Sequence, residues 1–191
     1  NKEIKLELLT WNSDEGKSVM WHSSAHLMAE AIQFFYPNVK FAIGPSIENG
    51  FYYDMEFPED THFSSDQFKK IENKIIELAR EKNIYEISYV SKNDATNFYK
   101  DQENEYKLEL IKDLNDGEIT FYKQGKFIDL CKGPHIPHTG FIKAVKLTSV
   151  AGAYWKGNEK NKQLTRIYAI TFPKKKDLDE YLIKLEEAKK R

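Results

Sequence analysis

Hydrophobic positions recur at helical spacing in three stretches of the chain. In residues 18–36 an apolar residue returns to one face every third or fourth position, with Ser18 as the expected N-cap and Pro37 as the stop. Residues 64–82 repeat the pattern with Lys and Glu on the opposite face. Residues 177–190 also have apolar residues at helical spacing on one face. The sequence therefore predicts three amphipathic helices. The last is either a connector to a following domain or a helix packed on its own domain.

Short runs rich in β-branched and aromatic residues occupy much of the remaining chain. Residues 39–43 and 51–57 flank Asn49-Gly50, a dipeptide that tolerates positive φ and therefore predicts a hairpin. Residues 93–100 predict a short helix. Further strands are predicted at residues 84–90, 106–111, 120–122, 126–130, 143–150 and 166–171.

The order of these elements predicts an α+β fold. We expect one antiparallel sheet with the long first helix, which carries an HxxxH motif, packed on it. Residues 58–115 are expected to form a small inserted α/β subdomain, and the chain is expected to end in a C-terminal connector helix.

Composition narrows the class of protein. Hydrophobic residues make up 40% and aromatic residues 14% of the 191 residues, which is enough for a core and excludes a wholly disordered chain. No apolar run approaches the ~18 residues that a membrane span needs, so no membrane partner is expected. A single cysteine, Cys131, excludes an internal disulfide framework and is consistent with a reducing compartment.

The formal charge of −1 conceals a basic segment. Residues 120–176 contain 12 Lys and Arg residues against two acids, Asp129 and Glu159, a net charge of +10. Aromatic residues such as Tyr122 and Trp155 are interleaved with the lysines. Such a segment would attract a phosphate backbone, although the same lysines would also keep a solvated sheet soluble.

Histidine and cysteine form the main chemical motif. His22 and His26 are four residues apart on the first predicted helix, so both imidazoles face one side. Cys131 and His135 flank a Gly-Pro turn that can direct both side chains to one place, while His138 has no assigned role. Three nitrogens and one sulfur fit a zinc site, and they equally fit a group that positions and deprotonates water.

These motifs belong to a longer series of blocks by which the chain resembles the editing domain of bacterial-type threonyl-tRNA synthetases, the second of their N-terminal modules. The blocks cover nearly the whole chain: HSSAH at 22–26, AIGP at 42–45, NGFYYD at 49–54, YK at 106–107, DLCKGPH at 129–135, AGAYWKG at 151–157 and RIY at 166–168. Ser24 departs from the family pattern, because many members have cysteine there. The resemblance implies a linker from a preceding module at residues 1–17, an editing domain at residues 18–172 and a connector toward a synthetic domain at residues 173–191.

The resemblance also implies a proofreading function. The parent enzymes bind ATP and attach threonine to tRNA, but one missing methyl group discriminates against serine by only ~1–3 kcal/mol. A second, hydrolytic site would cleave the ester of serine on tRNA(Thr) and would spare threonine, because its extra methyl group clashes or displaces the water. The implied partners are the serine-carrying acceptor end of tRNA(Thr) and the other synthetase domains, in the cytoplasm or an organelle.

The family motif assigns a role to each site residue. His22 and His135 would hold and deprotonate the water, and His26 would orient the substrate and the other imidazoles. Lys107 would position or activate water and stabilise developing negative charge, or else be a plain surface lysine on a strand. Asp129 would pair with the ammonium group of the substrate, or form a structural salt bridge.

Three further residues are carried over from the same resemblance. Cys131 is expected to line the cavity or join a proton network, because a nucleophile would need a lowered thiol pKa. Tyr53 and Tyr122 are expected near the terminal adenosine, where an aromatic face can stack on the base, with core aromatic residues as the alternative.

Metal content and substrate separate the remaining alternatives. The same four residues, His22, His26, Cys131 and His135, resemble the zinc set of alanyl-tRNA synthetase editing domains. The threonyl-type surroundings favour editing without a cofactor, with zinc as the alternative. The other candidate functions are a non-catalytic module that binds tRNA acceptor ends and uses the cluster structurally, and an alanyl-type deacylase acting in trans.

Overall fold

The computed structural model of the chain describes residues 2–191 and contains two antiparallel sheets with helices packed on them, which confirms the α+β class. The helices are α1 (Asp14–Phe35), α2 (Phe68–Arg80), α3 (Lys92–Asp101), α4 (Glu105–Lys112) and α5 (Lys175–Lys189). The strands are β1 (Lys40–Phe41), β2 (Ser46–Ile47), β3 (Gly50–Glu56), β4 (Glu86–Tyr89), β5 (Thr120–Gln124), β6 (Phe127–Leu130), β7 (Ala144–Tyr154) and β8 (Gln163–Phe172). Within residues 2–191, no helix combines the length and apolar character needed to cross a membrane.

The larger sheet carries the main core. Its strands run in the order β1-β3-β8-β7, and β2 pairs with the start of β3. α1 packs on this sheet and buries Leu27, Met28 and Ile32 completely. Burial of each such side chain contributes about 1.5–3 kcal/mol, so this face holds the helix in place and with it the two histidines.

α1 begins four residues earlier than the sequence predicts. Ser13, rather than Ser18, is the N-cap, because its hydroxyl accepts a hydrogen bond from the Gly16 N–H at 3.0 Å. The helix ends at Phe35, one residue before its predicted end and two residues before Pro37.

The predicted hairpin forms between β2 and β3, but its turn is shifted by one residue. Ile47 pairs with Gly50, so Glu48 and Asn49 make the turn and Gly50 begins the strand with a φ of +115°. A Cβ at position 50 would collide with the carbonyl of Ala169 on β8. Glycine is needed there for this close approach as well as for the turn.

A smaller sheet in the order β4-β5-β6 lies beside the first. Its core contains Ala95 and Tyr99 from α3, Ile111 from α4 and Phe121 from β5. The strands predicted after residue 119 therefore do not form one sheet, because β5 and β6 pair with β4 whereas β7 and β8 join the larger sheet. The limits of the inserted subdomain, residues 58–115, stay a prediction.

The strand predicted at residues 106–111 is wrong, because this segment is helix α4. Tyr106 packs in one buried cluster with Leu110 beside it, and Ile111 packs in a second cluster with Leu108 beside it. A short helix that is apolar on two sides lacks the single hydrophobic face by which a helix is recognised, and its sequence alternates like a strand.

The last helix packs on its own domain through its first half. Leu178 of α5 is buried in the main core, and Phe172 of β8 lies against Tyr181 with ring centroids 5.6 Å apart. The second half of α5 is largely exposed. Its predicted role as a connector toward a following domain stays a prediction.

Candidate active site

α1 and the loop after β6 bring the two histidine-containing motifs together. One donor atom from each of His22, His26, Cys131 and His135 lies within 4.8 Å of the others. Cys131 Sγ is 3.4 Å from His22 Nε2 and 3.3 Å from His135 Nε2. The spacing of four on α1 places the His22 and His26 ring centroids 5.1 Å apart. Segments more than 100 residues apart thus meet around one point.

The loop that carries Cys131 is held by several contacts. Gly133 has a φ of +72°, and a Cβ there would collide with the hydroxyl of Tyr122. The Gly133 N–H donates to Cys131 Sγ at 3.2 Å, and Thr120 Oγ1 donates to the Cys131 carbonyl. These contacts direct the thiol toward the imidazoles.

A buried ion pair lies beside the histidine cluster. Lys107 Nζ is 2.7 Å from Asp129 Oδ1, and the two side chains are 3% and 4% exposed. The Tyr53 hydroxyl donates to Asp129 Oδ2 and accepts from Lys107 Nζ at 3.2 Å. His26 Nε2 is 3.7 Å from the same carboxylate oxygen, Asp129 Oδ2. Lys107 is therefore a buried helical residue and not a surface lysine on a strand.

Lys107 reaches the site because α4 is fixed at both ends. Asn104 caps the helix: its Oδ1 accepts from the Lys107 N–H at 3.1 Å, and its Nδ2 donates to the Phe41 carbonyl at 2.9 Å. Near the other end, Trp155 Nε1 donates to Glu109 Oε2 at 2.6 Å. The tryptophan of the AGAYWKG block thus helps to hold the helix that carries the lysine.

His22, His26, Lys107, Asp129 and Cys131 line an open cavity of about 350 Å³, whereas His135 lines a different cavity of about 440 Å³ and contacts Cys131. The wall of the first cavity is completed by the segment after β1, where Gly44 packs so closely on the Tyr53 ring that a Cβ would collide with it. A larger cavity of about 630 Å³ lies elsewhere, around the end of α1 and the end of β3, and none of the predicted site residues lines it. The chemistry-bearing residues therefore mark the smaller cavity as the candidate site.

Burial determines the protonation states of the three histidines and the cysteine in the cluster. Burial lowers the pKa of His22, His26 and His135, that of His26 well below its usual range and that of His135 to about 2. The Lys107 ammonium lowers the pKa of His22 and His26 further. Burial also raises the pKa of the Cys131 thiol to about 12, against the opposing hydrogen bond from the Gly133 N–H. The imidazoles are neutral proton acceptors at pH 7, and the thiol keeps its proton.

The two tyrosines expected near adenosine lie in different surroundings. Tyr53 is completely buried, with its ring centroid 5.2 Å from that of Phe41, and only its hydroxyl takes part in the site. The contact of Tyr53 with the terminal adenosine stays a prediction. Tyr122 is partly exposed and meets the His135 ring edge to face at 4.5 Å. The contact of Tyr122 with the terminal adenosine stays a prediction.

The sequence analysis missed two residues that contact His135. Ser23 Oγ is 2.9 Å from His135 Nδ1, and the Tyr85 ring stacks on the imidazole with centroids 4.9 Å apart. Ser23 lies inside the HSSAH motif, which could have indicated it, whereas no local pattern marks Tyr85. The unassigned His138 caps a short 3-10 turn, because its Nδ1 accepts from the Gly140 N–H at 3.0 Å.

The donor set can be compared with the spacing that a zinc ion needs. A tetrahedral zinc with bonds of ~2.0–2.3 Å needs ligand atoms about 3.3–3.6 Å apart. Cys131 meets this spacing with His22 and His135, and all four donor atoms lie within 4.8 Å of one another, so the residues fit a zinc ion. Asp129 raises the pKa of His22 and Lys107 lowers it, so the paired carboxylate and ammonium act on the cluster in opposite directions.

Comparison with known proteins relates the chain to one group. Residues 119–168 match the family described as threonyl and alanyl tRNA synthetase second additional domain. The chain is 62% identical over 97% of its length to the threonine--tRNA ligase of Cytophaga hutchinsonii and 56% identical over its whole length to that of Parabacteroides distasonis. It is 52% identical over 98% of its length to the threonine--tRNA ligase of Caldanaerobacter subterraneus. The chain spans 29% of the length of each of these relatives.

Proposed function

This chain is homologous to the region of bacterial threonine--tRNA ligases that contains the second additional domain, and from that premise we propose that it hydrolyses the ester of serine wrongly attached to tRNA(Thr). The observation that carries the proposal is that His22, His26, Cys131 and a buried Lys–Asp pair line one open cavity, with His135 in contact with Cys131. An ester hydrolase needs a held water, a proton acceptor and a positive group for the oxyanion, and this cavity has residues for each.

In the proposed reaction, the neutral imidazoles of His22 and His135 hold the water and take its proton. The water oxygen attacks the ester carbonyl carbon, and the Lys107 ammonium stabilises the oxyanion that forms. The tetrahedral intermediate then breaks its bond to the ribose oxygen, which takes up a proton, so the products are serine and uncharged tRNA. Cys131 lines the cavity between two imidazoles and stays a thiol, in line with its raised pKa.

Asp129 is proposed to bind the ammonium group of the seryl ester even though it already pairs with Lys107. Each carboxylate oxygen accepts more than one hydrogen bond, and Asp129 Oδ1 and Oδ2 accept from Lys107 and Tyr53 respectively. The remaining lone pairs are available to a second cation. Lys107 and the substrate ammonium would then share one carboxylate, which keeps the local charge of the complex at +1.

We propose that this hydrolysis needs no metal ion, because Lys107 supplies the positive charge that a metal would otherwise provide. The proposed partners are the acceptor end of tRNA(Thr) and the remaining domains of a cytoplasmic synthetase. The net charge of +10 in residues 120–176 supports contact with a phosphate backbone.

The test compares the deacylation of seryl-, threonyl- and alanyl-tRNA. It uses the chain alone and the chain placed in the matched region of the Cytophaga hutchinsonii enzyme. We expect rapid loss of serine, with threonine retained. Binding of tRNA without hydrolysis of any ester would instead support a non-catalytic module, and preferential attack on alanyl-tRNA would support an alanyl-type deacylase.

A further inference from the structure

We infer that Ser23 is a positioning residue that fixes the tautomer of His135, with the ring proton on Nδ1 and the Nε2 lone pair directed toward Cys131. The link to hydrolysis rests on the proposed function, whereas the tautomer can be measured independently of any activity.

The inference follows from counting protons and lone pairs around the Ser23 hydroxyl. Ser23 Oγ lies 2.8 Å from the Val19 carbonyl oxygen, 3.0 Å from the Ile136 nitrogen and 2.9 Å from His135 Nδ1. A hydroxyl has one proton to donate and can accept two hydrogen bonds. Since the Val19 carbonyl can only accept, it takes the hydroxyl proton, and since the Ile136 N–H can only donate, it uses one lone pair. The remaining lone pair faces His135 Nδ1, which must therefore carry a proton.

The opposite tautomer would place two acceptors face to face. If His135 Nδ1 lacked a proton, the Ser23 hydroxyl would have to turn its proton toward the ring. The hydroxyl oxygen would then stand 2.8 Å from the Val19 carbonyl oxygen with no proton between them. Ser23 is 0% exposed, so water cannot enter to relieve this contact. The Nδ1–H tautomer satisfies all three partners at once.

The ring of His135 is also held against rotation. Tyr85 stacks on one face, with planes 15° apart, and its hydroxyl donates to the Ser23 carbonyl at 2.7 Å. Tyr122 and His26 approach the ring with centroids at 4.5 Å and steep interplanar angles. With Nδ1 on Ser23, Nε2 lies 3.3 Å from Cys131 Sγ. The Nε2 lone pair therefore faces Cys131 and the other residues of the cluster.

The experiment uses a neighbouring serine as the matched control. Ser24 is also buried and also donates to the carbonyl four residues before it, at 2.8 Å, but its other partner is Thr171 and not His135. Ser23→Ala and Ser24→Ala therefore each remove one helix hydrogen bond of the same kind, and only Ser23→Ala also removes the contacts with the imidazole and the Ile136 N–H. Ser23→Thr keeps the hydroxyl and is the conservative variant.

The primary readout is the tautomer, from long-range proton–nitrogen NMR correlations of the labelled chain at pH 8, with the His135 signals assigned by their loss in His135→Gln. We expect a protonated Nδ1 and an unprotonated Nε2 in the unsubstituted chain, in Ser24→Ala and in Ser23→Thr, and a mixture of tautomers in Ser23→Ala. A proton on Nε2 in the unsubstituted chain would overturn the inference. If Ser23→Ala does not fold, the measurement on the unsubstituted chain still decides.

The second readout is deacylation of seryl-tRNA. We expect Ser23→Ala to lower kcat about ten- to a hundredfold with KM unchanged, because the base is misoriented while the substrate contacts remain. Ser24→Ala should keep the original kcat and Ser23→Thr should restore most of it. Equal losses of kcat in Ser23→Ala and Ser24→Ala, with the tautomer of His135 unchanged, would show that Ser23 has only a structural role. An unsubstituted chain with the expected tautomer but without hydrolysis would contradict the proposed function and leave the tautomer assignment standing.

Discussion

At the scale of single residues, the Lys107–Asp129 pair has a structural role that can be separated from its proposed chemical role. Both side chains are almost fully buried and their charged atoms are 2.7 Å apart. Removal of one partner from a buried pair leaves an uncompensated charge, at a cost of about 3–5 kcal/mol, whereas removal of both charges is often nearly neutral. We therefore expect Lys107→Met to lower the free energy of unfolding by about 3–5 kcal/mol and Lys107→Met/Asp129→Asn to recover most of it.

Denaturant unfolding of Lys107→Met, Asp129→Asn and the double variant measures the coupling energy between the two residues. A seryl-tRNA hydrolysis assay on the same samples measures their catalytic role. The double variant should be folded and inactive, which separates the loss of Lys107 as a catalytic group from the loss of stability. A Lys107→Met variant as stable as the unsubstituted chain would show that the pair is not buried as described. Hydrolysis by the folded double variant would remove both residues from the proposed mechanism.

His22 offers a separate test of the chemistry, because its removal does not leave a buried charge without its partner. It is only partly buried and lies at the cavity, and its neutral ring leaves no uncompensated charge when it is removed. We expect His22→Ala to lower seryl-tRNA hydrolysis by about 10²–10⁴-fold, the usual range for loss of a general base, with an unchanged melting temperature. His62 is exposed and outside the site, so His62→Ala is the control and should keep full activity.

At the scale of elements, α4 is positioned by a residue that is remote from the cavity. The indole of Trp155 donates to Glu109, and without that bond the helix can shift and displace Lys107 from Asp129. We expect Trp155→Phe, which keeps an aromatic ring but loses the N–H, to lower kcat for seryl-tRNA about ten- to a hundredfold, since a displacement of about 1 Å has effects of that size. Lys156 also contacts Glu109 but is exposed, so Lys156→Ala is the matched control and should leave kcat unchanged. If Lys156→Ala lowered kcat as much as Trp155→Phe, the loss would be due to any disturbance of Glu109 and not to the indole N–H.

The elements that could be predicted from sequence are those with one apolar face and local end signals. α2 turns one hydrophobic side to the core, α1 has apolar residues at helical spacing and Pro37 as its stop, and the β2–β3 hairpin is indicated by its turn residues. α4 could not be predicted, because Tyr106 and Ile111 belong to different buried clusters. The division of the strands between two sheets could not be predicted either, because the pairing of β4 with β5 joins segments more than 30 residues apart.

The residues of the site also divide into those that local patterns predict and those that only tertiary packing brings together. The spacings of HxxxH and CxxxH gave the four-residue cluster, because periodicity and a turn decide which side chains share a direction. The ion pair between Lys107 and Asp129 and the stacking of Tyr85 on His135 were not predicted, because they depend on how α4 and the residues just before β4 pack in three dimensions. Local patterns predict candidates for the site, and tertiary contacts decide what holds them in place.

At the scale of the whole molecule, the start of the described chain contributes little to the fold. Ile4, Leu6 and Leu8 are each more than 80% exposed, and within the described residues no hydrogen bond or ion pair involves residues 2–8. Packing begins at Trp11, whose ring meets Trp21 and Phe172 edge to face. We expect deletion of residues 1–8 to leave the free energy of unfolding unchanged and to reduce self-association at high concentration, because three exposed apolar side chains are removed.

The matched variant is Trp11→Ala in the full chain, which should lower the free energy of unfolding by about 1–2 kcal/mol through lost burial. Denaturant unfolding and sedimentation of the two variants provide the measurements. Equal destabilisation by the deletion and by Trp11→Ala would show that residues 1–8 pack on the domain in solution.

The proposal that editing needs no metal also belongs to the whole molecule, because an ion at the cluster would tie α1, on the larger sheet, to the loop after β6, on the smaller one. An ion that binds only the folded state stabilises it by about 2.7 kcal/mol at a hundredfold excess over its Kd, which corresponds to a rise in Tm of about 5–10 °C for a chain of this size. We expect elemental analysis of chain purified without chelator to find no stoichiometric zinc, and Tm and seryl-tRNA hydrolysis to be the same with and without EDTA. Stoichiometric zinc that is lost in His22→Ala but kept in His62→Ala, together with a fall in Tm on chelation, would show that the cluster binds an ion. In that case the positive charge of the site would come from the metal, and the role proposed for Lys107 would have to be given up.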